Sequence, residues 1–177
     1  MKVLEKILYF PFGNNLFVGP GIKKDIEFLK KILPEDFKRK ELFDLGCGDG
    51  KITLLLKEIF LPKKIYGCDL YPFLVKRAKK RGIFAFVLDL EKEVPKGELA
   101  VMWGVLHHLK KREKVLLEIK KKFSYFFLRE PKKEFFSFFE LGEKEKEENL
   151  KNILKKVFKK GKFFLSNTSL FFFWKKC

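Results

Sequence analysis

The sequence predicts an α/β protein: one mostly parallel, seven-stranded sheet with helices on both faces and an antiparallel hairpin at the carboxyl end. Three observations carry this. From Glu41 onward, short apolar runs alternate with stretches of helical period, the pattern of strands joined by crossover helices. A glycine-rich turn, Gly46-Cys47-Gly48-Asp49-Gly50, lies between the first such run and the first helix that follows it. Near the end, two aromatic segments are separated only by Ser166-Asn167-Thr168. That link is too short for a crossover, so the two must form a hairpin and one must run against the rest.

The elements follow in order. Residues 1–20 read as an arm broken by Pro11, Gly13, Asn14, Asn15, Gly19 and Pro20, with aromatic residues between Tyr9 and Phe17 that suit a lid. A helix is predicted from about Ile22 to Leu33, with Ile22, Ile26, Leu29 and Leu33 on one face and Pro34 as its stop. Strands are predicted at Glu41–Leu45, Lys64–Cys68, Phe84–Leu88, Leu99–Trp103 and Phe123–Leu128. Helices are predicted at Lys51–Phe60, Pro72–Arg81 and Arg112–Lys122. A charged helix over Glu143–Lys160 precedes the hairpin strands Lys162–Leu165 and Ser169–Lys175. No repeat and no Gly/Ser-rich linker divides the chain, so its 177 residues read as one domain with its core in residues 41–175.

Composition narrows the class. No apolar run approaches the length of a membrane helix. Glu5 falls early and no small-residue cleavage site follows, which predicts no secretory leader and a cytoplasmic location. Cys47, Cys68 and Cys177 are scattered and lack metal-site spacing, so they read as small buried or loop thiols. The net charge is +17. Lysine dominates it, arginine is scarce and glutamine is absent. That balance is a heat-adapted surface signature, and it also keeps nucleic acid in play as a partner.

The chemistry gathers at predicted strand ends. Glycines at 46, 48 and 50 let the backbone turn sharply and approach a ligand closely. A dinucleotide fingerprint would need glycine where Lys51 stands. Asp44, two residues before the first glycine, suits a ligand carrying positive charge better than a pyrophosphate. Asp69 ends the second strand, where a carboxylate can accept both ribose hydroxyls. Asp89 follows the third, placed for an exocyclic amine of a purine. Singly, each acid would be an ordinary turn cap. Three in register with the glycine turn point to one ligand lying across the carboxyl edge of the sheet.

With these residues in place, the chain resembles the class I S-adenosylmethionine-dependent methyltransferases, especially small members of the ubiquinone-biosynthesis type. Asp44-Leu45-Gly46-Cys47-Gly48-Asp49-Gly50 matches their first motif. Residues 98–109 resemble the fourth-strand motif and end in Leu106-His107-His108-Leu109, with Glu98 where an Asp is usual. Phe127-Leu128-Arg129-Glu130-Pro131 resembles the fifth strand and its Glu-Pro ending. The resemblance implies a Rossmann-like fold, S-adenosylmethionine as cofactor, and cofactor contacts at Asp44, Gly46, Cys47, Gly48, Asp69, Leu70, Asp89, Leu90 and Trp103.

His107 and His108 are the only histidines. Adjacent side chains on a turn are expected to point apart, which argues against a two-histidine metal site, and either ring is a candidate general base. Three functions compete: methyl transfer to a small molecule, methyl transfer to RNA or another macromolecule held by the lysines, and cofactor binding without catalysis. An Asn/Asp-Pro-Pro-Tyr/Phe tetrapeptide would favour a nucleobase amine as acceptor, but Trp103-Gly104-Val105-Leu106 stands in its place. The small-molecule acceptor therefore leads, and no membrane partner is expected.

Composition yields a first prediction. The cofactor-free protein should melt above the roughly 45–65 °C range of ordinary mesophile domains. Circular dichroism during heating measures it, and a reversible transition near body temperature would remove the heat-adaptation account of the lysines.

Overall fold

The computed structural model describes residues 20–132 and 147–176. Helix α1 (Pro20–Ile32) leads through a short 3-10 turn, Glu35–Phe37, into β1 (Glu41–Leu45). There follow α2 (Lys51–Phe60), β2 (Lys64–Asp69), α3 (Pro72–Lys80), β3 (Phe84–Val87) and β4 (Leu99–Trp103). A 3-10 turn at Leu106–His108 precedes α4 (Arg112–Lys122) and β5 (Tyr125–Pro131). Helix α5 (Glu147–Val157) and the hairpin of β6 (Lys162–Leu165) and β7 (Ser169–Lys175) complete the order.

The seven strands form one sheet in the order β3-β2-β1-β4-β5-β7-β6. Strands β1 to β5 pair in parallel, and β7 runs antiparallel to both β5 and β6. The expected reversed hairpin is therefore present, with β7 as the reversed strand. Several predicted boundaries move. Helix α1 starts at Pro20, whose fixed φ and missing N–H suit a first helical position. Strand β5 begins at Tyr125 rather than Phe123, because Phe123 still donates its N–H to Ile119 O at the end of α4. It runs on to Pro131 because β7 pairs with it along its whole length, up to Pro131 with Ser169. Helix α5 covers Glu147–Val157, and the earlier residues predicted for it lie outside the described ones, as do Cys177 and residues 1–19.

The sheet carries a core on each face. On one, α1 and α2 bury Ile26, Leu29, Leu56, Ile59 and Phe60 against Leu42, Val101, Phe127 and Phe171. On the other, α4 and α5 bury Leu116, Ile119, Leu150 and Leu154 against Met102, Phe126, Leu128 and Phe172. Helix α3 packs Val75 and Ala78 against Ala85 of β3 and Cys47. The link from β3 to β4 contains no helix. That leaves Phe84, Phe86 and Tyr66, on the α4–α5 side of the sheet, without a covering helix, and Phe84 is 71% exposed.

One buried ion pair binds the first helix to the last hairpin. Asp25 of α1 is fully buried. Its carboxylate accepts from Arg129 Nε at 2.9 Å and Nη2 at 2.5 Å, and from the hydroxyls of Ser166, Thr168 and Ser169 at 3.0, 2.5 and 2.6 Å. A buried charge is tolerated when its lone pairs are satisfied in this way. Substituting Asp25→Ala would strand the Arg129 guanidinium inside the protein. A loss of about 3–5 kcal/mol in urea-unfolding free energy is expected, and a loss below about 1 kcal/mol would show that the network is dispensable.

Candidate active site

The glycine turn is held from two sides. The N–H groups of Gly46 and Cys47 donate to Cys68 O at 2.8 and 2.9 Å, which ties the turn to the end of β2. Gly46 has φ +88°, and a Cβ there would stand 2.5 Å from a methyl of Val105. Glycine is thus required both by the left-handed backbone and by the close approach of the segment after β4. Gly48 has φ +55°, but a Cβ there would meet nothing within 4 Å, so the turn presents bare backbone to open space.

Two of the three predicted acids meet at this turn. Asp69 Oδ2 accepts from Gly48 N at 2.9 Å, and its Oδ1 accepts from Tyr71 N at 3.0 Å. Burial raises its pKa, against the lowering pull of those backbone donors and of His108. Asp44 is buried, with Oδ2 accepting from Thr53 Oγ1 at 2.6 Å. Its Oδ1 has no hydrogen-bond partner among the described residues. Burial lifts its pKa to about 7, only partly offset by the Thr53 bond. Burial thus disfavours the charged form of Asp44, and a cationic group placed against it would favour that form. An orphaned acceptor beside an open glycine turn is a fitting cradle for a ligand that is cationic at one end.

The remaining predicted contacts are less uniform. Asp89 Oδ1 accepts from Glu91 N at 3.0 Å, so this acid caps its own turn. Leu90 is buried in the core beneath α4, which turns its side chain away from the sheet edge. Leu70 is half exposed just beyond β2. Cys47 and Cys68 are buried free thiols, and burial pushes both thiol pKa values up, which makes them unreactive. Trp103 lies at the end of β4, half-buried, with Arg129 stacked 5.3 Å from its ring centre and with Phe127 and Phe171 against it. Its indole Nε1 is buried without a partner among the described residues.

The histidines depart from expectation. Their side chains do not part: the two rings sit 3.9 Å apart, centre to centre. Both rings are carried by the 3-10 turn at Leu106–His108. Among the described residues no group of three or more His, Cys, Asp or Glu is placed to hold a metal ion.

Glu130 organises this turn. Its Oε1 accepts from Val105 N at 2.9 Å and Leu106 N at 2.8 Å, and its Oε2 lies 2.6 Å from His107 Nδ1. A carboxylate opposite Nδ1 fixes the proton there and leaves the lone pair on Nε2. That Nε2 is buried and has no partner among the described residues. Sequence reading noticed Glu130 only as part of a strand ending. Its role depends on a contact across 23 positions, for which no local pattern exists.

Comparison with known proteins identifies the family. A family model described as a methyltransferase domain matches residues 22–170. An uncharacterized methyltransferase of Schizosaccharomyces pombe is 30% identical over 110 residues, 58% of this chain and 40% of that protein. The chain thus spans well under half of that relative's length. Among solved structures, the magnesium protoporphyrin IX methyltransferase of Synechocystis with bound SAH superposes with a TM-score of 0.68 at 15% identity, covering 97% of this chain and 93% of that one. A Thermotoga maritima methyltransferase described as a possible histamine N-methyltransferase gives 0.70 at 17% identity, covering 86% and 87%. The chain belongs to the methyltransferase-domain family, the S-adenosylmethionine-dependent methyltransferases of class I. No helix of the described residues is long and apolar enough to cross a membrane.

Proposed function

We propose that this enzyme methylates a small molecule at an atom that must lose a proton, with His107 as the base. The observation that carries this is the buried, unpartnered Nε2 of His107, held in one tautomer by Glu130. Val105, two residues before it, packs on Gly46, so the base belongs to a segment that touches the glycine turn.

The residues fit the cofactor. In this reading Asp44, Gly46, Cys47 and Gly48 hold the methionine end of S-adenosylmethionine, with Asp44 Oδ1 accepting from the ammonium. Asp69 and Leu70 hold the ribose. Asp89, Leu90 and Trp103 complete the adenine and sulfonium surroundings, with Leu90 acting through its backbone because its side chain is buried. When bound, the cofactor supplies a methyl group already activated by positive sulfur. The protein's work is then to align the acceptor and remove its proton. His107 Nε2 accepts that proton, and Glu130 stabilises the charge that develops on the ring.

A small acceptor is favoured because the tetrapeptide of base-amine methylases is absent and because the structural neighbours are named for small substrates. The lysine-rich composition supports a heat-adapted enzyme.

Two outcomes test the reading. Asp69→Ala removes a charged hydrogen-bond partner of about 1.5–3 kcal/mol, so S-adenosylmethionine affinity by calorimetry should fall about one to two orders of magnitude. Unchanged affinity would sink the ribose assignment. His107→Ala should lower turnover by roughly two to four orders of magnitude while cofactor affinity holds. The assay is a screen of hydroxy- and amino-substituted small acceptors run beside bulk RNA. Equal turnover in the variant would leave alignment alone as the catalyst, and label entering RNA only would reverse the choice of acceptor.

A further inference from the structure

Helix α4 does not cap its own amino end. Lys111 holds the capping position without a side-chain bond, and Lys110, Lys111 and Arg112 put three cations where the helix dipole favours an acid. Glu113, the acid of the first turn, pairs with Lys156 at 2.7 Å. The missing acceptor comes from another loop. Glu91 Oε1, two residues past Asp89, accepts from Lys110 N and from Lys111 N, the latter at 2.8 Å. Lys114 Nζ donates to the backbone oxygen of Glu91 at 3.1 Å, and Leu90 is buried in the same core as Leu106 and Leu116.

Each end of this bridge meets a different part of the site. On one side, Glu91 N donates to Asp89 Oδ1 at 3.0 Å, so the bridging residue also shapes the turn that carries Asp89. On the other stands Arg112, the first residue of α4. Its Nε donates to Leu106 O and Leu109 O at 3.1 and 3.0 Å, and its Nη2 donates to His107 O at 3.1 Å. Arg112 therefore holds the backbone oxygens of the histidine turn, while Glu130 holds the N–H groups of Val105 and Leu106. The Glu91 carboxylate joins the loop after β3 to that arrangement, and its side chain lies outside the apolar core.

We propose that Glu91 is a positioning residue for His107, fixing the start of α4 and, through it, the histidine turn. The proposal rests on His107 as the base and on the Asp89 loop as an adenine contact. Glu91 acts through the turn and not on the acceptor. A base held slightly out of place costs rate, because the proton leaves along one short hydrogen bond.

Three variants of the full chain test it: Glu91→Ala, Glu91→Gln and Glu93→Ala, with circular dichroism reporting that each is folded at the assay temperature. With an acceptor from the small-molecule screen and saturating S-adenosylmethionine, Glu91→Ala should lower turnover about ten- to a hundredfold. Glu91→Gln keeps an oxygen for the two N–H groups and should restore most of the rate. Glu93→Ala removes the same charge from the same loop and should match the unaltered protein. The deficit of Glu91→Ala should shrink as pH rises toward the acceptor's own pKa, because an acceptor that ionises unaided needs no base. A merely weakened fold would show no such recovery. A second readout needs no acceptor. His107 and His108 are the only histidines, so nitrogen NMR of labelled histidine shows two rings, assigned with His107→Ala. The His107 signals should move in Glu91→Ala and return in Glu91→Gln. Unchanged turnover or unchanged His107 signals in Glu91→Ala, equal losses in the Ala and Gln variants, or a deficit independent of pH would overturn the proposal. Turnover lost in His107→Ala but kept in Glu91→Ala overturns this inference alone, whereas full turnover in His107→Ala overturns the base assignment itself.

Discussion

Two adjacent charged residues at the carboxyl end of β5, Arg129 and Glu130, hold the functional edge of this protein together. Neighbouring side chains on a strand point to opposite faces. Arg129 therefore reaches into the α1 side, where it meets Asp25 and stacks on Trp103. Glu130 reaches to the other side, where it gathers Val105 N, Leu106 N and His107. One short piece of backbone thus ties the first helix and the last hairpin on one face and orients the candidate base on the other. Both side chains are buried; Arg129 is paired with the Asp25 carboxylate and Glu130 accepts from three partners, the condition under which buried charge is tolerated.

The site grows from this edge by close approach. Gly46 admits Val105 at a distance no side chain could accept, so the glycine turn and the histidine segment touch. Asp44 and Asp69 lie on either side of that turn, both with raised pKa values from burial. Their ionisation is costly without a cationic partner, which couples occupancy of the site to its own charge state. The carboxyl edge is where open α/β sheets bind ligands as a general rule.

The same economy of chain that shortens the β3–β4 link has a consequence on the far half of the sheet. A crossover helix there would have covered Tyr66, Phe84 and Phe86. Its absence leaves an aromatic surface on an edge strand, Phe84–Val87, that carries no charge or proline to discourage contacts. Of the α3 lysines, Lys79 reaches the rim of that surface.

Much of this was legible along the chain. Hydrophobic period set the type and order of every described helix and strand, because burial on one face or two leaves a local signature. The short link Ser166-Asn167-Thr168 dictated the hairpin, and the glycine spacing after β1 marked the turn. Asp44 and Asp69 could be singled out because they stand at fixed offsets from that pattern, and the structure brings both to the glycine turn. What no local pattern could reveal were contacts between distant positions: Asp25 with Arg129, Glu130 with His107, Gly46 with Val105. The histidine rings came together, against expectation, in the turn after β4, a side-chain arrangement that residue type and spacing do not encode. Leu90 matched a motif, yet its side chain went to the core because the sheet had apolar space to fill beneath α4. Sequence by itself determined the elements and the chemistry available at their ends, since these follow from local period and residue type. Tertiary structure alone decided which charges were buried together and which nitrogen of His107 was left free, since those depend on which faces the packed sheet brings into contact.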